Sequence, residues 1–250
     1  MKRWIKRLAM LIFVFIMAHG LPYLSRSISG LFDYSLIQND AYRQLMFMLV
    51  TYVLQTLMAV IAIKLFVSKR LSEAGFSLVN HKQSITTLKR FMLVWTGIVL
   101  VFYTLSLIFV PAFEGYLKGF CPPDIPYGVK NLVGGSMLAG LGEESLFRSF
   151  VVLVLAKQWD GGIRIGKRTI SYVSLLSGFI FMTAHIGYEF VPKLTIVYID
   201  PLQLTYTFIL GVLWSSVFEK TRSLLAPVVA HIWANFIQYA LCYAAVFLLF

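Results

Sequence analysis

The chain has 250 residues, of which 59% are hydrophobic and 13% charged, with a mean hydropathy of +0.78 and a formal charge of +11. A soluble domain carries about 25% charged residues, so the composition excludes an ordinary soluble enzyme and points to an all-α, polytopic membrane helix bundle. The positive charge alone would suit a nucleic-acid partner, but its distribution along the chain argues against one.

A helix needs about 20 apolar residues to cross about 30 Å of hydrocarbon. Seven runs approach that length, with six to eight spans as the admissible range: Leu8 to Leu24, Gln44 to Val67, Phe91 to Val110, Gly134 to Leu155, Ser171 to Tyr188, Leu202 to Phe218 and Leu224 to Phe250. The first run follows a basic start, yet His19-Gly20-Leu21-Pro22 offers no small-x-small cleavage site, so we expect a retained helix rather than a signal peptide. With a cytoplasmic N-terminus, sixteen basic residues fall on the inner side, among them Arg3, Arg7, Arg90 and Arg168. Five fall outside: Arg26, Arg43, Lys118, Lys130 and Lys193. That asymmetry follows the positive-inside rule. It makes the net charge a topology signal, with membrane lipids as its partner and no nucleic acid. An odd helix count then places the C-terminus outside the cell membrane.

Residues 1–90 read as a variable two-helix region with a basic inner segment, Ser68 to Arg90, lying along the interface before the third span. Residues 91–250 read as a membrane-embedded core. Between the third and fourth spans, Pro111 to Lys130 suits either a structured cap or a linker. Cys121 and Cys242 make neither a metal motif nor a disulfide framework.

The fourth run contains Glu143-Glu144-Ser145-Leu146-Phe147-Arg148. A charge at the centre of a spanning helix costs about 2.5–3.5 kcal/mol on translocon scales, so such groups are read as functional. Residues four apart share a helix face, which pairs Glu144 with Arg148 and turns Glu143 about 100° away. The fifth run carries Phe181 and His185, and the last carries His231 and Asn235 on one face. Each motif alone fits interhelical hydrogen bonding. Together, three polar clusters on three otherwise apolar spans imply one shared pocket. Counting from the helix ends puts Glu143 and His231 near mid-bilayer and His185 a turn or two shallower. His19 and His81 read as packing and loop.

Glu-Glu-x-x-x-Arg at 143–148, Phe-x-x-x-His at 181–185 and His-x-x-x-Asn at 231–235, in that order, resemble the CAAX-protease and bacteriocin-processing family of intramembrane endopeptidases, also called CPBP or Abi. The segment from Gly211 through Thr221-Arg222-Ser223-Leu224-Leu225-Ala226-Pro227 to His231 resembles that family's approach to its last motif, and Ser149 stands where the family usually has Gly. The resemblance, covering about residues 134–240, implies hydrolysis of a peptide bond in a membrane-associated or lipidated protein or peptide. It implies Glu143 and His185 activating water, His231 and Asn235 donating to the oxyanion, and Glu144, Arg148 and Phe181 as support. No cofactor is expected; the alternative is a zinc ion on Glu143, His185 and His231. The rival readings are a non-catalytic scaffold or bacteriocin-immunity-type protein, and a proton-coupled transporter.

Overall fold

Long uninterrupted apolar stretches leave the backbone only its own hydrogen bonds to use in lipid, which favours helix throughout. The computed structural model describes residues 2–189, 193 and 195–250, and it is an all-α bundle. Among the described residues five helices are long and apolar enough to cross a membrane: α1 (Lys2–Ser29), α2 (Asp40–Phe66), α3 (His81–Phe109), α7 (Pro201–Thr221) and α8 (Leu225–Leu249). Between them lie α4 (Phe113–Phe120), a continuous helical body over residues 125–155 that we term α5, and α6 (Tyr172–Thr183). Two antiparallel hairpins join β1 (Gly162–Ile165) to β2 (Arg168–Ser171) and β3 (Gly187–Glu189) to β4 (Thr195–Tyr198). The chain is therefore a multi-pass membrane protein.

Seven large helical bodies correspond to the seven expected runs, with α4 added in the loop after α3. The structure adds three details. The segment before the third span is partly helical, because α3 starts at His81 and carries its polar first turns beyond the apolar run. The loop ahead of it is tied to the α7–α8 turn: Leu224 N donates to Gly75 O at 2.9 Å, Ser223 Oγ to Ser77 O at 2.7 Å and Asn80 Nδ2 to Thr221 O at 3.1 Å. The segment after α3 is a structured cap, since α4 buries Phe113 and Leu117 against α8. The fifth run is not one spanning helix. It stops at Thr183, turns with His185 N donating to Met182 O at 3.0 Å, and enters β3 at Gly187.

The central body α5 packs against α2 on one side and α8 on the other, while α6 and α7 pair closely. Its helical geometry alternates. Lys130–Leu138 and Ser145–Val152 wind as π-helix on either side of the α-helical turn Ala139–Glu144. Such wide turns are rare and concentrate at functional sites. One core cluster gathers Phe147, Phe150, Phe181, Trp214 and Phe218 around α5, α6 and α7; a second lies around Tyr103, Leu117, Cys121 and Cys242. Leu93, Phe109, Leu202 and many similar side chains lie on the outer surface, as lipid contact requires.

Candidate active site

A glycine at 142 lets α2 press onto the turn that carries the glutamates: a Cβ there would lie 2.7 Å from the Tyr52 ring. Across the α6–α7 interface, a Cβ on Gly211 would lie 2.9 Å from the Gly178 Cα, so two backbones meet where a side chain is excluded. Small residues at such positions are the usual device for close helix approach in membranes. Serines supply the polar contacts there. Ser215 Oγ donates to Ser177 Oγ and Ser216 Oγ to Ser174 Oγ, both at 3.0 Å, while Ser171 and Ser174 donate to Glu219.

Arg148 reaches into this interface from α5. Its Nε and Nη2 donate to Glu144 at 2.7 and 3.3 Å, and its Nη1 donates to Ser177 Oγ, Gly211 O and Ser215 Oγ at 3.2, 3.3 and 2.9 Å. Both side chains are 0% exposed. The guanidinium also lies over the Phe181 ring at 4.9 Å and the Trp214 ring at 5.8 Å. Removing one partner from a buried pair of this kind typically costs about 3–5 kcal/mol, since the other charge is stranded.

Glu144 also joins α5 to α8, because its Oε1 lies 2.9 Å from His231 Nδ1. A carboxylate held by Arg148 is an acceptor, so the imidazole donates from Nδ1 and turns Nε2 the other way. That nitrogen lies 4.0 Å from Glu143 Oε2. Trp214 stacks on the same imidazole at 4.6 Å and fixes its plane.

Glu143, the neighbour in sequence, is treated differently. Its side chain keeps 19% exposure, Oε1 accepts a long 3.4 Å hydrogen bond from the Tyr52 hydroxyl, and Oε2 is buried with no hydrogen-bond partner among the described residues. An unsatisfied buried acceptor is costly and is rarely kept without use. Asn235, one turn beyond His231, donates from Nδ2 to Gly135 O at 2.9 Å, which leaves its second amide hydrogen as a further donor.

His185 occupies the turn after α6. Its Nδ1 lies 2.8 Å from Phe181 O and its ring meets the Phe181 ring edge-on at 4.7 Å; among the described residues it makes no hydrogen bond to Glu143. Phe181 is thus the shared wall, 6.0 Å from the His231 ring on its other side.

Residues 126–237 match the family model for type II CAAX prenyl endopeptidase Rce1-like proteins. This region is similar to that family. The Rce1-like region contains every one of Glu143, Glu144, Arg148, Phe181, His185, His231 and Asn235, and the match agrees with the CPBP resemblance of the motifs. Rce1-like proteins form a protease family, which supports an enzyme. No curated protein and no solved structure gives a significant match.

Several site residues have no place in the motifs. Tyr52 lies on α2, outside the Rce1-like region, with no motif to single it out. Ser177, Ser215 and Gly211 hold Arg148. Serines at 174, 177, 215 and 216 form polar stripes whose signal is present in the sequence but is easily dismissed in apolar runs. His19 is not mere packing, since its Nε2 lies 3.2 Å from Thr183 Oγ1 at the end of α6.

A zinc ion on Glu143, His185 and His231 would need three donors to converge. Among the described residues no three His, Cys, Asp or Glu side chains are so gathered. The donor set does not fit a metal in this arrangement, and no step below passes through one.

Proposed function

We propose that the protein is an intramembrane endopeptidase of the CPBP type, cleaving a peptide bond in a membrane-associated or lipidated protein or peptide without a metal. The observation that carries this reading is the unpaired Glu143 Oε2, 4.0 Å from an imidazole nitrogen whose partner nitrogen is fixed. A carboxylate with an unused acceptor site is suited to bind and deprotonate water.

In the proposed reaction, Glu143 takes a proton from water as its oxygen bonds to the scissile carbonyl carbon. His185, approaching across Phe181, positions the water from the other side. The carbonyl oxygen gains the electron pair and is stabilised by His231 and Asn235. As an imidazolium, His231 donates from both nitrogens, Nδ1 to Glu144 and Nε2 to the oxyanion. With Glu143 protonated, the buried charges of Glu144, Arg148, this imidazolium and the oxyanion then sum to zero. Collapse of the intermediate breaks the C–N bond, and Glu143 returns its proton to the leaving amine. Glu144 and Arg148 orient His231 and the helix that carries Glu143. This reading keeps the N-terminus in the cytoplasm, which the charge asymmetry supports, and the C-terminus outside the cell membrane, which follows only from an odd number of spans.

The test is membrane peptidomics of cells carrying wild type, Glu143→Gln or His185→Ala. Peptide products that vanish in both variants while the proteins stay folded support proteolysis. Products that persist in both favour the scaffold reading.

A further inference from the structure

One end of the bundle carries a groove that the proposed chemistry does not use. It lies between the first turns of α3, the last turns of α7, the start of α8 and β2, and has a volume of about 390 Å³. Its walls are apolar, including Leu88, Phe91, Val94, Leu213 and Val217, and two guanidiniums, Arg90 and Arg168, stand on its rim. Both arginines are exposed, and neither has an acidic partner among the described residues. The nearby carboxylate of Glu219 is occupied by Ser171 and Ser174.

The groove wall supplies a second, independent sign. Trp214 lines it, is 2% exposed, and its indole Nε1 has no hydrogen-bond partner among the described residues. A buried unpaired donor beside an apolar slot with two unpaired cations at its rim calls for a ligand with three properties. It must have an anionic head, an acceptor below the head, and a hydrocarbon tail. Free phosphate meets only the first.

We propose that this groove binds one anionic phospholipid, its phosphate held by Arg90 and Arg168, an ester carbonyl within reach of the Trp214 indole, and an acyl chain along Phe91, Val94 and Leu213. Basic pockets between helices at the membrane surface recognise such headgroups. Trp214 also stacks on His231 at 4.6 Å, so an occupied groove braces the residue that sets the plane of the imidazole.

The full chain, purified in a neutral detergent, is titrated with phosphatidylglycerol, with phosphatidylcholine of the same acyl chains, and with inorganic phosphate, and thermal unfolding is followed. Phosphatidylglycerol is expected to raise the midpoint saturably, and the other two are not. Arg90→Gln with Arg168→Gln is expected to weaken the apparent affinity by about tenfold or more, whereas Lys69→Gln with Lys220→Gln, two basic residues off the groove, leaves it unchanged. Val94→Trp fills the slot without altering charge and is expected to abolish the response even if the arginine variant fails to fold. The proposal is overturned if phosphatidylcholine or phosphate stabilises equally, if the lysine pair abolishes the response, or if Val94→Trp retains it. It is equally overturned if phosphatidylglycerol has no effect on the wild type. None of these outcomes depends on proteolysis, so the groove and the cleavage reaction stand or fall separately.

Discussion

Glu143 and Glu144 are neighbours in the chain and opposites in environment. Glu144 is wholly enclosed and hydrogen-bonded to Arg148 and His231, and Arg148 in turn is held by two serines and a backbone carbonyl. Glu143 keeps partial exposure, one long hydrogen bond from Tyr52 and one oxygen without a hydrogen-bond partner among the described residues. A fully satisfied buried network confers rigidity, and a partly satisfied one is a place where chemistry or a ligand is missing. The helix thus supports two carboxylates of the same type at unequal cost, and the difference separates holding the site from using it.

The largest effect that tests this contrast is expected from Arg148→Ala. It strands Glu144 and the serines together, so thermal unfolding in detergent should show a loss of about 3–5 kcal/mol, with activity lost alongside. A variant as stable as wild type would break the comparison. Glu143→Gln should do the reverse: unfolding should stay within about 1 kcal/mol of wild type, because little is paired there, while cleavage falls by about 10²–10⁴-fold for loss of a general base. Ser215→Ala should cost less than the about 1.5–3 kcal/mol of a full charged hydrogen bond, since Ser177 and Gly211 still hold the same guanidinium nitrogen. Tyr52→Phe removes the hydrogen bond from Tyr52 to Glu143 and should lower turnover by about two- to tenfold without moving the unfolding midpoint. A pH–rate profile that shifts in that variant would sharpen the assignment of Tyr52 to the carboxylate rather than to packing.

The smallest effect uses the same chemical groups in water. Arg3 and Arg7 pair with Asp160 at the surface, with Arg3 Nη2 at 2.8 Å from Oδ1, and the hydrogen bond and charge of Arg3 hold the Asp160 carboxyl below its usual range. A depressed folded value means that this stabilisation is present above the unfolded value of about 3.9 and is lost as pH falls through the folded one. Asp160→Asn should therefore leave the unfolding midpoint nearly unchanged at neutral pH, as exposed pairs do. Any difference from wild type should vanish in acid. A loss comparable to that of Arg148→Ala would show that burial is not what separates the two pairs.

Much of the bundle was legible because long apolar runs in a membrane protein leave the backbone only its own hydrogen bonds and so fold as helices. Seven apolar runs became seven helical bodies, and the i,i+4 spacing of Glu144 and Arg148 gave their pairing. Less legible was whatever depends on a partner from elsewhere in the chain. The connection of His231 to Glu144 spans 87 residues, and no spacing rule indicates which of the two glutamates it meets. The fifth run read as a span because Thr183 to Tyr188 is apolar enough to continue a helix; the backbone instead turns at His185 and pairs β3 with β4. Tyr52 was invisible because a single tyrosine in an apolar run carries no pattern. The π-helical turns were equally hidden, since they arise from packing on both sides of α5 and not from any residue preference.

The early end of α6 has a consequence for the bilayer itself. Twelve helical residues, Tyr172–Thr183, rise about 18 Å, well short of the about 30 Å hydrocarbon layer. Non-helical backbone at hydrocarbon depth is tolerated only against protein or water, so the β3–β4 pair is expected to stand against protein or water rather than acyl chains. His185 sits on the turn where the helix gives out.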